Sequence, residues 1–150
     1  MNRIWKPNVT VAALVERDGR FLLVEEETED GLRFNQPAGH LDEGESLVAA
    51  CAREALEETA WGFTPTSLVG IYQWPRPQGD ITYLRFAFAG ELGAHDFART
   101  LDTGILRAVW MTPDEINASA ERHRSPLVSQ CVSDYLAGRR FPLELLRYYD

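Results

Sequence analysis

"GHLDEGESLVAACAREALEETAW", Gly39 to Trp61, holds six acidic residues (Asp42, Glu43, Glu45, Glu54, Glu57 and Glu58) against one base, Arg53. The same stretch has the pattern of a half-buried helix. Ser46 is a suitable N-cap, and Leu47, Val48, Cys51, Ala55 and Leu56 recur at helical spacing. Glu57 and Glu58 follow Glu54 at the i+3 and i+4 positions, on its own side of the helix. Like charges so placed cost roughly 0.2–0.5 kcal/mol per pair. Arg53, pairing with Glu45 or Glu57, cannot neutralise the whole group. A solvated helix face is the ordinary explanation of such a run. Against it stand the apolar flank, the Gly-rich turn that brings backbone carbonyls near the helix start, and the fixed spacing of the charges. Clustered carboxylates suit a hard divalent cation: Mg²⁺ takes oxygen ligands and is usually held by a few carboxylates plus substrate phosphate.

The rest of the chain sets the bounds. At 150 residues, 1–150 reads as one domain, and chains of this size bury roughly 68–70% of their unfolded surface. A net charge of −8 argues against a nucleic-acid polymer or an anionic membrane as partner. An acidic protein can still bind an anionic small molecule when a metal stands between them. Cys51 and Cys131 form no CxxC pattern and read as small core residues in a reducing compartment. No apolar stretch suits a signal peptide or a membrane span, so a cytoplasmic location is expected.

"VTVAALVERDGRFLLVEEE" reads as a hairpin turning at Asp18-Gly19, "EETEDGLRFN" as a polar loop and "QPAGHLDEG" as irregular. "SLVGIYQW", "ITYLRFAFAGEL" and "GILRAVWM" read as strands. Thr112-Pro113-Asp114-Glu115 and Ser125-Pro126 each start a helix. The order predicts an α/β protein with a mixed sheet sandwiched between helices.

The acidic segment resembles the Nudix box, Gly-x5-Glu-x7-Arg-Glu-U-x-Glu-Glu-x-Gly-U, where U is a bulky aliphatic. Gly39, Glu45, Arg53, Glu54, Glu57 and Glu58 stand in register. Ala55 replaces the first aliphatic, Ala60 the glycine and Trp61 the last aliphatic. Ala55 implies a re-packed core contact, and Ala60 implies a helix exit displaced to Gly62. "KPNVTVA", "FNQPAGHL", "YLRF", "HRSPLV" and "GRRFPLE" extend the resemblance to the NudJ-type phosphatase branch, whose box opens on Pro37-Ala38-Gly39-His40. The resemblance implies the Nudix fold and a phosphohydrolase. Its expected substrates are hydroxymethylpyrimidine diphosphate, thiamine diphosphate and nucleoside di- and triphosphates.

By resemblance, Glu54, Glu57 and Glu58 bind Mg²⁺ or Mn²⁺, with a carbonyl of Ala38 or Gly39. One of them, or a carboxylate from a facing loop, orients or deprotonates water. Asp102 is the candidate outside carboxylate, with a plain turn residue as the alternative. Glu45 and Arg53 shape the loop and helix through an ion pair. Asn35, Gln36 and His40 flank the phosphate-facing loop. Arg85, on one strand face with Tyr83 and Ala87, either holds a phosphate or pairs with a box glutamate, the pair being favoured. Lys6 and Arg124 are further phosphate candidates, or surface charges. Trp74 is the ring-stacking candidate, and His123 reads as a surface residue. A monomer or homodimer is expected. The rival readings are a hydrolase of nucleoside diphosphates linked to another group, a nucleotide-binding module without catalysis, and an acidic protein-interaction domain. Against the first, a linked substrate needs more binding surface than so compact a chain suggests.

Overall fold

Two four-stranded sheets lie between helices in the structure, a computed structural model that describes residues 3–150. The strands are β1 (Asn8–Leu14), β2 (Glu16–Arg17), β3 (Arg20–Thr28), β4 (Gly31–Asn35), β5 (Ala38–His40), β6 (Trp61–Pro75), β7 (Thr82–His95) and β8 (Ile105–Met111). The α-helices are α1 (Leu47–Thr59), α2 (Pro113–Ala118) and α3 (Leu127–Leu136). One sheet runs β5-β1-β7-β6, with β1 and β7 parallel and the other neighbours antiparallel. In the other, β3 is central, with β8 on one edge and β2 and β4 on the other.

Strand β1 shows why the sheet is sandwiched. Its apolar run is buried on both faces, as a strand covered on two sides requires. Val11, Ala13 and Val15 join Ala50, Cys51 and Ala55 of α1 in one core cluster. Ala12 and Leu14 join Cys131 and Val132 of α3, with Ile116 of α2, in the other. The small residues on α1 let it lie close to the sheet, and the Cys51 thiol reaches the Ala12 carbonyl at 3.6 Å.

Three expectations change. The predicted hairpin exists only as β2 and β3 around Asp18-Gly19; β1 leaves it at Val15 to enter the other sheet, where its apolar residues find both cores. The predicted polar loop is the β3–β4 hairpin, whose turn is held by Thr28 Oγ1 donating to the Gly31 carbonyl at 2.6 Å. The irregular segment contains β5, paired to β1. The caps stand as read: Ser46 accepts from the Ala49 amide, and Thr112 and Glu115 form a reciprocal capping box. The helix exit is not displaced to Gly62. Ala60 itself takes the left-handed conformation at φ 63°, at a cost of about 1–2 kcal/mol, and its N–H closes on the Leu56 carbonyl.

Candidate active site

Arg53 is the hub of the acidic segment. Its Nε and Nη2 donate to the two oxygens of Glu45 at 3.0 and 2.6 Å. Nη1 donates to Glu54 at 2.8 Å and Glu57 at 2.7 Å, and Nη2 also reaches the His40 carbonyl at 3.1 Å and Asp42 at 3.3 Å. The second Glu45 function is local: its Oε1 accepts the Asp42 amide at 2.8 Å, tying the loop before the helix. The Arg53 hydrogen bond holds Glu45 below the usual carboxylate range, and the arginine itself is pushed further up, Glu45 being the main cause. Removing the hub while leaving its carboxylates should be costly. Arg53→Met should destabilise the metal-free protein by about 2–3 kcal/mol, read in a urea melt, and added divalent cation should recover part of the loss.

The carboxylates are positioned by two elements. Glu54, Glu57 and Glu58 come from α1. Asp102 comes from the loop before β8, pinned by its amide donating to the Glu57 carbonyl at 3.1 Å. One carboxylate oxygen from each of Glu54, Glu57 and Asp102 lies within 4.8 Å of the others. Glu58 stands beside this trio, its Oε1 accepting the Ala38 amide at 3.0 Å. Burial raises Glu54 above the usual range, and burial pushes Glu58 up to about 8. Gly39 lies flat against Glu54, because any Cβ there would occupy the Glu54 carboxyl group. Hard oxygen donors so gathered, with a backbone cradle holding one in place, fit a divalent cation.

Of these carboxylates, Glu54 and Glu58 line a cleft of about 1240 Å³. Glu54, Glu58, Ala38, Gly39 and His40 line one end; Trp74 and Tyr83 line another part, with Arg85 and Arg124 also on the walls. The cleft is larger than the compact chain suggested, and exceeds the 300–1,000 Å³ typical of small-ligand pockets.

A NUDIX domain family model matches residues 5–131. The chain belongs to the Nudix family. It is 41% identical to Phosphatase NudJ of Escherichia coli K12 over 143 residues, 95% of this chain and 92% of that protein. A Nudix hydrolase from Nitrosomonas europaea superposes with a TM-score of 0.93 at 54% identity, covering 96% of this chain and 98% of that one. A MutT Nudix hydrolase from Burkholderia pseudomallei shares the fold, with a TM-score of 0.73 at 16% identity over 87% of this chain and 98% of that one. The protein is thus a Nudix hydrolase, homologous to the NudJ phosphatases. Among its described residues no helix is long and apolar enough to cross a membrane.

Several residues singled out in this Nudix chain stand elsewhere than expected. Arg85 pairs with no glutamate of the box; its Nη1 and Nη2 donate to Gln36 and Asn35 at 2.8 and 2.9 Å. Gln36 is not among the residues lining the cleft: it is 1% exposed, and its Nε2 donates to the Val128 carbonyl at 2.8 Å. Lys6 lies away from the cleft, in a small depression with Arg3, Trp5 and Asp80. Arg124 lines the cleft and pairs with Glu26 at 2.6 Å. His40 is exposed at the cleft wall, its carbonyl taken by Arg53. Trp74 lines the cleft with its ring stacked on Tyr83, centroids 5.9 Å apart and planes 15° apart. Tyr83 carried no role in the sequence reading. Its signal was available: a hairpin closed by the loop 76–81 sets it opposite Trp74. His123 is not a surface residue; it lines the cleft, its Nε2 2.9 Å from the Ile116 carbonyl.

Proposed function

We propose that this Nudix hydrolase removes phosphate from organic di- and triphosphates in the cytoplasm by water attack on phosphorus. The substrates are hydroxymethylpyrimidine diphosphate, thiamine diphosphate and nucleoside di- and triphosphates. The reading is carried by the carboxylate cluster of Glu54, Glu57 and Asp102 beside a cleft with an arginine wall, in a chain 41% identical to Phosphatase NudJ. Glu54, Glu57, Glu58 and Asp102, with the Gly39 carbonyl, would hold Mg²⁺ or Mn²⁺. Such an ion, when bound, polarises a phosphoryl oxygen and lowers the pKa of water. One of these carboxylates orients or deprotonates the attacking water. Arg85 and Arg124 hold phosphate oxygens, and Trp74 takes the ring of the substrate.

A second reading is cleavage of a nucleoside diphosphate joined to another group, favoured by the volume of the cleft. Product analysis with Mg²⁺ decides between them, following orthophosphate from the proposed substrates and AMP plus ribose 5-phosphate from ADP-ribose, with Glu57→Gln in parallel. Orthophosphate from the di- and triphosphates, reduced about 10²–10⁴-fold by Glu57→Gln, is the expected result. Cleavage of ADP-ribose alone would replace the first reading with the second. Nucleotide binding without any cleavage would sink both.

A further inference from the structure

Arg85 is a buried cation that the protein does not neutralise. It is 6% exposed and sits on β7. Its Nη1 donates to Gln36 Oε1 at 2.8 Å and reaches Cys131 Sγ at 3.8 Å, and Nη2 donates to Asn35 Oδ1 at 2.9 Å. Every one of these partners is neutral. Among the described residues, no ion pair includes Arg85. Burying a charge among neutral groups is costly and is tolerated where a counter-charge arrives from elsewhere. The aim of the guanidinium is also fixed from behind. Gln36 is clamped between Arg85 and the Val128 carbonyl at the start of α3.

The surroundings say what the counter-charge is. Arg85 pairs in register with Thr10 on β1, and Thr10 pairs with His40 on β5. The three form one row across the cleft floor, about 10 Å between its outer backbones at the usual strand spacing. At the His40 end the row reaches the edge strand β5, whose other face packs Gly39 on the Glu54 carboxylate, and Glu54 and Arg85 both line the cleft. In the other direction, Tyr83 precedes Arg85 by two residues on the same strand face, about 7 Å away, and carries the Trp74 ring. The cleft is therefore ordered: aromatic pair, bare cation, carboxylates.

We infer that Arg85 anchors the phosphoryl group lying between the substrate's ring and the phosphorus that is attacked, and that Asn35 and Gln36 are positioning residues that aim it. This rests on the phosphohydrolase reading. It makes the preferred substrate a planar ring joined by a short link to at least two phosphoryl groups. A monophosphate can fill only one of the two phosphate positions.

Asn35→Asp gives the sharpest test, because it is isosteric and supplies the missing counter-charge. Arg85→Gln removes the cation, and Arg85→Lys keeps the charge without the fork. A methylene-bridged nucleoside diphosphate, which cannot be cleaved at the bridge, would be titrated calorimetrically with Mg²⁺ into each protein. Tm of the ligand-free proteins and Mn²⁺ affinity would be measured beside it. Expected are a loss of about 10–100-fold in analogue affinity for Asn35→Asp and Arg85→Gln, partial recovery in Arg85→Lys, an equal or higher Tm, and unchanged Mn²⁺ affinity. Unchanged analogue affinity in both variants overturns the inference. So does an affinity loss accompanied by a lower Tm or weaker Mn²⁺ binding, which is what a structural role gives, and so does a parent protein that binds no analogue. The readout is binding, so a parent that binds the analogue through Arg85 but releases no phosphate from any substrate removes the hydrolytic reading and leaves the anchor standing.

Discussion

Glu58→Gln should yield a protein that folds at least as stably as the parent without metal and turns over about 10²–10⁴-fold more slowly. The two effects have one source. Glu58 is buried beside Glu54, Glu26 and Asp102, and burial first, then those like charges, raises its pKa from 4.5 to about 8. A raised folded-state pKa means that the native protein holds the proton more tightly than the unfolded chain. The stability this contributes is fully present below the unfolded value near 4.5 and is lost as pH rises through about 8. Above that, the metal-free protein carries an ionised carboxylate with one backbone hydrogen bond, from Ala38, to offset its burial. The amide of glutamine accepts the same hydrogen bond and has no charge to bury, so the Glu58 share of the pH dependence should vanish. It also offers a poorer donor to a hard cation. Chelator-treated protein melted at pH 5 and pH 9 reads the first effect, and phosphate release with Mg²⁺ reads the second. A variant that melts lower than the parent at pH 9 would contradict the account of Glu58 as a strained carboxylate, and one with parental turnover would remove it from the site.

Gly39→Ala should lower activity by about 10²-fold, the scale expected when a reacting group is displaced by about 1 Å, without unfolding the protein. The reason for glycine here is space, since its φ is not in the left-handed region. The added methyl group would fall within the Glu54 carboxyl group, so Glu54 must swing away from Glu57 and Asp102. The β5–β1 ladder, which pairs Gly39 with Val11, uses only backbone and should survive. Mn²⁺ affinity should fall together with turnover. Gly62→Ala is the control: its nearest neighbour would be a backbone oxygen at an ordinary 3.6 Å. Equal activity in the two variants would show that the fit of Gly39 to Glu54 does not matter.

These effects trace back to a segment whose chemistry is local. Glu54, Glu57 and Glu58 lie within one helical turn or so, and helix geometry alone gathers them. The Ser46 and Thr112 caps use partners three residues away, and they too could be read in one dimension. Sheet partners were less legible. The β3–β4 hairpin passed as a polar loop because its residues are half exposed, and β1 passed as an arm of a hairpin because apolar alternation does not say which sheet a strand joins.

The acidic helix and the α/β order of elements follow from periodicity and spacing within short stretches, the resemblance to the Nudix box is likewise carried by one such stretch, and these survive any arrangement of the remainder. The partners of Arg85 and the place of Asp102 do not. Asn35 and Gln36 meet Arg85 across about 50 residues, and Asp102 reaches the α1 glutamates through a backbone bond to Glu57. A lone arginine on a buried face demands some partner, and sequence suggests the nearest abundant acid. Strand register answers otherwise: the parallel pairing of β1 with β7 turns Arg85 toward neutral amides on the far side of the sheet from most of α1, and leaves its charge open to the cleft.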